Sequence, residues 1–254
     1  MKNPFIYSND NKRYHTFNYY LKNKYQEKVF KVPLDAGFTC PNRDGKVAYG
    51  GCSFCSALGS GDSVIHNEDL MKQFDDGVNM MRNKWPQGKG MAYFQAYTNT
   101  YASINRLKEI YEPFVQRDDV IAICIATRAD CLDDEKVAYL DSLTQFKDVW
   151  VEVGLQTIHD ETSKLLNRGH DYACFLEAIK KLSKTNCKIC VHIINGLPNE
   201  TKEMMIDTVK EIAKLPIHAV KIHMLHLLKN TKLAKEYEEN PFHILTLEEY
   251  VEIV

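Results

Sequence analysis

Residues 35–60 read DAGFTCPNRDGKVAYGGCSFCSALGS and contain three of the chain's eight cysteines. The three are Cys40, Cys52 and Cys55, which stand at the spacing C-x11-C-x2-C. Glycine, proline, asparagine and serine dominate the rest of the segment, and these residues are typical of turns and loops. We therefore expect a loop that wraps around a bound ligand.

Three thiol ligands are the informative feature of this loop. A structural zinc ion takes four nitrogen or sulfur ligands in a closed tetrahedron, and the loop has no histidine at ligand spacing. An iron–sulfur cube held by three thiolates instead leaves one iron open to a substrate or cosubstrate. The pattern favours a reactive metal centre at these three cysteines. The alternative is a non-enzymatic, zinc-stabilised RNA-binding module with a fourth ligand such as His66.

The segment Cys52-Ser53-Phe54-Cys55 resembles the cluster motif of the radical-SAM superfamily, in which an aromatic residue precedes the last cysteine. The resemblance implies a [4Fe-4S] cluster held by three cysteines, S-adenosylmethionine (SAM) chelated by the free iron, and Phe54 near the SAM adenine. The superfamily's usual spacing is C-x3-C-x2-C. The longer first gap is similar to the branch related to the catalytic subunit of Elongator, and residues 34–45 resemble a small bacterial family within that branch.

Length and composition are those of a barrel-sized globular protein. With 254 residues and 44% hydrophobic content, the chain forms either one well-buried domain or two small ones. It has no long apolar segment and no signal peptide, so we expect a cytoplasmic protein without a membrane span. Eight cysteines in a reducing compartment indicate thiols and metal ligands rather than disulfides. The net charge of −2 gives no global nucleic-acid footprint.

Strand and helix patterns alternate through most of the chain. This alternation predicts parallel βαβ units and an α/β fold, an open (βα)6 partial TIM barrel with its site at the carboxyl ends of the strands. The cluster loop directly follows the first strand. Strands are predicted at 30–36, 91–97, 120–128, 149–157, 188–195 and 219–227, and helices at 66–84, 103–117, 133–146, 160–185 with a break at Gly169, and 200–214.

Three segments are expected: an N-terminal basic and aromatic extension (1–30), the barrel (31–230), and the start of a C-terminal helical extension (231–254). The last segment ends in mid-helix by pattern, which suggests truncation. Residues 1–31 hold seven Lys or Arg against two acidic residues. They either contact phosphate or form an ordinary solvated surface. Tyr and Phe within residues 12–29 either stack on bases or pack on the barrel edge.

Strand alternation selects the inward-facing residues of the fourth strand, Glu152, Gly154 and Gln156. A buried carboxylate needs a partner, and the superfamily resemblance implies that Glu152 binds the SAM ribose. The alternative partner is a structural Lys or Arg. The resemblance also assigns Arg168, within Arg-Gly-His, to the SAM carboxylate, since coproporphyrinogen-type oxidases share this tripeptide.

The remaining candidates lie on the other strands. Arg128 and Asp130 are similar to a Thr-Arg-Pro-Asp segment of Elongator-like proteins and either serve the substrate or form a mutual salt bridge. Gln95, Tyr97 and Asn99 stand where many radical-SAM proteins have a Gly-rich SAM-binding segment. His192, Lys221 and His223 are predicted to point inward, and Leu225 to border the adenine. Cys187 and Cys190 are three residues apart on a strand and therefore face opposite ways, so we interpret them as buried thiols rather than a second metal site.

The resemblance implies a mechanism and a substrate class. An electron from flavodoxin or ferredoxin reduces the cluster, SAM is cleaved, and the 5′-deoxyadenosyl radical abstracts a hydrogen atom from the substrate. The expected substrate is a 5-substituted wobble uridine of tRNA, with carboxymethylaminomethyl trimmed to aminomethyl. The alternative substrate is a small metabolite or tetrapyrrole.

Overall fold

The computed structural model describes residues 5–62, 64 and 69–254, so the alternative zinc ligand His66 lies outside the described residues. Six parallel strands pair in chain order, from β1 to β6. β2 ends at Phe94 and β6 at Met224, three residues earlier in each case than the sequence pattern predicts. The strands are β1 (Val29–Leu34), β2 (Lys89–Phe94), β3 (Val120–Thr127), β4 (Asp148–Gln156), β5 (Lys188–Asn195) and β6 (Ala219–Met224).

Contacts across the inner face show that the sheet is curled. Lys31 on β1 forms an ion pair with Glu152 on β4, and Lys221 on β6 lies 3.4 Å from the hydroxyl of Tyr93 on β2. These strands are not neighbours in the sheet, so their side chains meet only if the sheet closes around them. The predicted α/β partial TIM barrel is thereby confirmed.

The helices begin where the sequence supplies a capping side chain. Among the α-helices of the described residues, all except α5 have a Ser, Thr or Asp oxygen that accepts hydrogen bonds from the first turn. These oxygens satisfy backbone donors that have no partner within the helix. The predicted 160–185 helix is divided, as expected, around Gly169. The helices are α1 (Phe17–Tyr25), α2 (Leu70–Arg82), α3 (Ile104–Val115), α4 (Asp134–Leu143), α5 (Asp160–Leu165), α6 (Tyr172–Leu182), α7 (Lys202–Ile212), α8 (Lys232–Glu239) and α9 (Leu247–Ile253).

Strand alternation divides the apolar residues into two layers. The outward-facing residues of β1 to β5 pack under the helices in one large cluster. A smaller cluster fills the floor of the barrel and includes Met91, Cys124 and Trp150. Cys187 belongs to the outer cluster and Cys190 to the inner one, so the two thiols of this C-x2-C pair face opposite sides of β5.

Helix α1 closes the amino-terminal end of the barrel. Phe17 and Tyr20 meet the Trp150 ring edge-on, at centroid distances of 5.0 and 5.7 Å, and the Tyr25 hydroxyl donates to Asp148. These aromatic rings are packed into the barrel floor, so the base-stacking interpretation is wrong for them. Lys24 forms an ion pair with Asp148. One of the seven basic residues of segment 1–31 is therefore already paired with a carboxylate of the barrel.

Within the described residues, every helix is too short or too polar to span a lipid bilayer.

Candidate active site

A cavity of about 430 Å³ opens at the carboxyl ends of the strands, where the fold class predicts the site. Of the sixteen side chains that the sequence singles out as site residues, fourteen line this cavity. They are Cys40, Cys52, Phe54, Cys55, Gln95, Tyr97, Arg128, Glu152, Gln156, Arg168, His192, Lys221, His223 and Leu225.

The other two candidates, Asn99 and Asp130, are not among the lining residues, and each has a structural explanation. Asn99 is fully buried, and its amide nitrogen donates to the carbonyls of Phe94, Ala96 and Ala126. Asp130 lies in a 3-10 turn after β3 rather than on the strand, so the period-2 alternation that placed it inward does not apply. Asp130 instead forms a two-point ion pair with Arg128, with contacts of 2.9 and 2.7 Å.

The cluster loop, residues 35–60, is folded by hydrogen bonds within itself. The amides of Arg43 and Cys55 donate to the carbonyls of Cys40 (2.8 Å) and Cys52 (3.0 Å), and each contact makes a tight turn at a cysteine. The Arg43 guanidinium reaches the carbonyls of Ser56 and Ala57. These contacts place all three thiols on the cavity wall.

The end of β2 supports the far side of this loop. The side-chain amide of Gln95 donates to the Ser60 carbonyl at 2.6 Å, and the Tyr97 hydroxyl donates to the Ala57 carbonyl at 2.7 Å. Both side chains line the cavity, but their polar ends are engaged with the loop. Their role in this structure is therefore to hold the cluster loop.

The connection between α5 and α6 supports the near side. The Ser53 amide donates to the Leu166 carbonyl (2.9 Å), and the Asn167 side chain donates to the Gly51 carbonyl (2.8 Å). Gly169 has a positive φ of 74°, and a Cβ at this position would lie 2.6 Å from Oδ1 of Asn42. Only glycine allows the two segments to approach so closely.

Arg168 lies in the α5–α6 connection, and its side chain reaches the thiols. Its Nη1 lies 3.4 Å from Sγ of Cys52, and its Nη2 donates to the Gly154 carbonyl at 2.7 Å. Nε of Arg168 and Nη1 of Arg128 are buried and have no hydrogen-bond partner within the described residues. Two guanidinium groups with unused donors beside a cysteine loop are suited to an anionic ligand.

The thiols differ in their protonation. A hydrogen bond with Cys55 and the charges of Arg168 and Arg128 outweigh burial and hold the pKa of Cys52 well below its usual value. The thiolate form is the one that binds metals. Within the described part of the chain, no three Cys, His, Asp or Glu side chains converge on a point where they would hold a single metal ion. A cube of four irons is bound at separate iron atoms, so its thiolates need not converge; the donor set therefore fits an iron–sulfur cluster.

Deeper in the barrel, Glu152 is held by two partners. It forms an ion pair with Lys31, and one of its oxygens accepts a 2.8 Å hydrogen bond from Nε2 of His192. Burial would raise the pKa of Glu152, but these two neighbours outweigh it and hold the pKa well below the usual range. Burial lowers the pKa of His192, so this histidine donates as a neutral ring. The sequence analysis left open a structural Lys or Arg as the partner of Glu152, and Lys31 is such a partner.

Lys31 was missed by the sequence analysis, which counted it among the surface lysines of the N-terminal segment. On β1 it points into the barrel, as Pro33 and Val29 do, and strand period 2 could have indicated this. Tyr93 was also missed; its ring lies 4.3 Å from Nζ of Lys31. A tyrosine packs in an apolar interior through its ring alone, so no local pattern distinguishes Tyr93 as a site residue.

Gln156 reaches the cavity through an irregularity in β4. The register between β4 and β5 shifts between Gly154 and Gln156, and Gln156 has a positive φ of 76°. A β-bulge of this kind redirects a side chain, and strained backbone of this kind is concentrated at functional sites.

A half-barrel with a three-cysteine loop at the carboxyl ends of its strands defines a class of barrel enzyme that works with a bound metal cluster. The model of the Radical SAM superfamily matches residues 40–212, and that of the Radical_SAM C-terminal domain matches residues 217–254. The chain therefore belongs to the radical SAM superfamily and is an enzyme of that superfamily. Membership implies SAM and a [4Fe-4S] cluster as cofactors, and it sets aside the zinc-stabilised, non-enzymatic module.

The chain is similar to two curated proteins to different extents. It is 52% identical over 253 residues to the "Uncharacterized protein YtqA" of Bacillus subtilis, a match that covers 99% of this chain and 79% of that protein. It is 28% identical over 137 residues to the tRNA uridine(34) acetyltransferase of Methanocaldococcus infernus, covering 53% of this chain and 25% of that protein.

Two solved structures share the fold. The archaeal Elp3 of Methanocaldococcus infernus superimposes with a TM-score of 0.64 at 19% identity, over 89% of this chain and 53% of that one. Coproporphyrinogen III oxidase (HemN) of Escherichia coli, described as a radical SAM enzyme, gives a TM-score of 0.58 at 14% identity, over 89% of this chain and 50% of that one. At such identities these likenesses show the fold alone, and the chain spans about half of each structure.

Proposed function

We propose that Cys40, Cys52 and Cys55 hold a [4Fe-4S] cluster and that the enzyme modifies the 5-substituent of a tRNA wobble uridine, converting carboxymethylaminomethyl to aminomethyl. The observation that carries the cofactor assignment is the cluster loop itself, which presents three thiols on the cavity wall beside Arg168. When bound, the cluster and SAM supply a 5′-deoxyadenosyl radical that removes a hydrogen atom from the substrate.

The chain's own residues would orient SAM in the following way. The unused donors of Arg168 and Arg128 receive the methionine carboxylate, and Asp130 holds Arg128 in position through its two-point contact. Phe54 packs against an apolar cluster that contains Leu225, and this wall suits the adenine. Gln156 lines the same cavity, and its side-chain amide is available for a further polar contact with SAM.

Glu152 remains suited to a ribose although it already has two partners. A carboxylate has about four lone-pair sites, and Lys31 and His192 occupy one each. Glu152 lines the cavity, and we assign a remaining site to the ribose. The two partners keep the carboxylate ionised, so it accepts hydrogen bonds from ribose hydroxyls.

The proposed conversion is an oxidative loss of the carboxymethyl group. A hydrogen atom leaves the carbon next to the nitrogen, and one electron passes to a carrier protein. Water then adds to the resulting iminium carbon and the carbon–nitrogen bond breaks. The two carbons depart as glyoxylate, whose aldehyde oxygen comes from the water, and the nitrogen takes up a proton from that water. We assign the electron carrier to the flavodoxin or ferredoxin class and the enzyme to the cytoplasm, where both carrier and tRNA are found.

Support for tRNA comes from the relatives rather than from surface charge. A tRNA uridine(34) acetyltransferase is among the proteins that the chain resembles, and an Elp3 shares its fold. The basic N-terminal segment gives no such support, because α1 packs at the end of the barrel opposite the cavity.

The test uses anaerobically reconstituted protein with SAM, a reductant and tRNA that carries 5-carboxymethylaminomethyluridine at the wobble position. We expect 5′-deoxyadenosine to form together with 5-aminomethyluridine, both measured by mass spectrometry of the reaction and of the digested tRNA. Cys52→Ala should abolish both products, whereas Cys174→Ala, at a partly buried thiol outside the cavity, should leave both. Unchanged tRNA together with hydrogen abstraction from coproporphyrinogen would contradict the proposal in favour of a tetrapyrrole substrate.

A further inference from the structure

A layer of polar side chains lies in the barrel below the thiols. We call it the inner polar layer; it consists of Lys31, Tyr93, Glu152, His192, Lys221 and His223, all of which except Lys31 line the cavity. Along β6 the inward positions are Lys221 and His223, and Leu225 follows at the mouth. Of these three side chains Lys221 therefore lies deepest, and a ligand that reaches it must pass Phe54 and Leu225, the residues proposed to contact the adenine.

The charges of this layer do not balance. Glu152 is its one carboxylate, and both oxygens of Glu152 are engaged, one by Lys31 and one by His192. Lys221 has no ion-pair partner among the described residues. Within the same residues its Nζ has one hydrogen-bond partner, the Tyr93 hydroxyl at 3.4 Å, and it lies 5.3 Å from the centre of the Tyr93 ring.

Apart from Glu152, the titratable groups near Lys221 carry no negative charge. Burial raises the pKa of Tyr93 and Cys124 well above the usual values and raises the pKa of Cys190 to about 12, so all three stay neutral. Burial also lowers the pKa of His192, and it lowers that of His223 to about 4. Burial lowers the pKa of Lys221 as well, and the charge of Glu152, which already pairs with Lys31, raises it. Two lysines thus share one carboxylate, so the ammonium form of Lys221 lacks a counter-ion of its own at the cavity.

From this geometry we propose that Lys221, with His223 beside it, binds a carboxylate of the substrate. This inference rests on the proposed function, and it identifies the carboxylate as the free end of the carboxymethylaminomethyl group. A buried lysine without a counter-ion is unfavourable until an anion arrives, so the site selects a substrate that brings one. With the carboxylate held at Lys221, the adjacent carbon, from which hydrogen is removed, points back toward the mouth, where SAM binds.

SAM is the other source of a carboxylate in this cavity, and Arg168 and Arg128 already stand beside the cluster loop to receive it. The two assignments predict different defects. Loss of Lys221 weakens binding of the substrate if the substrate carboxylate is its ligand, and it weakens binding of SAM if the methionine carboxylate is.

The experiment compares two anticodon stem-loop RNAs, one with 5-carboxymethylaminomethyluridine at the wobble position and one with its methyl ester. The ester has nearly the same shape but no negative charge. Dissociation constants for both RNAs and for SAM are measured with the reconstituted holoenzyme under anaerobic conditions. The variants are Lys221→Met, Lys221→Arg, and Lys210→Met on the exposed face of α7 as the matched control; iron content and thermal unfolding verify that each variant is folded.

The wild type should bind the acid more tightly than the ester by about 10- to 100-fold, the range expected for a hydrogen bond to a charged group. Lys221→Met should lose this preference by weakening the acid alone, Lys221→Arg should retain part of it, and Lys210→Met should retain all of it. SAM affinity should not change in any variant.

Three results would overturn the inference. The first is an acid preference that survives in Lys221→Met while the wild type still turns over tRNA, which leaves the proposed function intact. The second is a loss of SAM affinity in Lys221→Met, which assigns the lysine to the methionine carboxylate. The third is a wild type that binds neither RNA, which removes the proposed function and this inference with it.

Discussion

At the scale of single residues, Arg168 joins the parts of the site. Its guanidinium contacts the thiol of Cys52 and the carbonyl of Gly154, and one donor is left without a partner. A lysine could not make these contacts at once, because a single ammonium lacks the planar fork of donors. The arginine therefore couples the cluster loop to the strand that carries Glu152.

The histidines of the inner polar layer make stability depend on pH. Burial lowers the pKa of His223 from 6.5 to about 4, with His192 and Lys221 adding to the effect and Glu152 opposing it. The side chain of His223 is therefore protonated near pH 6.5 in the unfolded chain but only near pH 4 in the folded chain. Because the unfolded state binds more protons in this window, stability falls as the pH is lowered through it.

We predict that His223→Asn loses less stability than the wild type between pH 7 and pH 5, as measured by urea unfolding. Glu152 does not interfere, because a carboxylate with a lowered pKa loses its contribution only as the pH falls below about 4.5. His15→Asn, at an exposed histidine before α1, is the control and should behave as the wild type does. Equal losses in His223→Asn and in the wild type would contradict the prediction.

At the scale of structural elements, the cluster loop depends on the two segments that it contacts. The end of β2 supports it through Gln95 and Tyr97, and the α5–α6 connection supports it through Asn167 and Gly169. The loop itself is rich in turn residues, and only Ala36 and Phe38 of its side chains belong to the large apolar cluster. Its geometry is therefore set by neighbours that are distant in sequence.

Gly169→Ala tests this dependence. The substitution places a side chain in left-handed backbone and pushes its Cβ against Asn42. Gly37→Ala is the matched control, since Gly37 has a similar φ of 69° but open space around it. Both variants should lose about 1–2 kcal/mol from the backbone term, but only Gly169→Ala should also lose bound iron after reconstitution. Equal iron retention in the two variants would show that the loop does not need this contact.

At the scale of the whole molecule, the alternation of strand and helix patterns was sufficient to predict the parallel half-barrel. The site was predictable to the extent that it follows from strand alternation and from the cysteine motif. Alternation failed at Asp130 because β3 ends before it and the chain turns. Asn99 could not be distinguished from a ligand-binding amide, because its three carbonyl partners come from loop geometry that no local pattern encodes. Lys31 was missed because charge was counted along the chain without regard to strand faces.

The central claim is that Cys40, Cys52 and Cys55 hold a cluster that cleaves SAM. Its most direct test is the iron, sulfide and zinc content of anaerobically purified protein, together with 5′-deoxyadenosine formation after SAM and dithionite are added. We predict about four irons and matching sulfide per chain with SAM cleavage in the wild type, and the loss of both in Cys52→Ala. One zinc per chain with no cleavage, or full cleavage in Cys52→Ala, would contradict the claim.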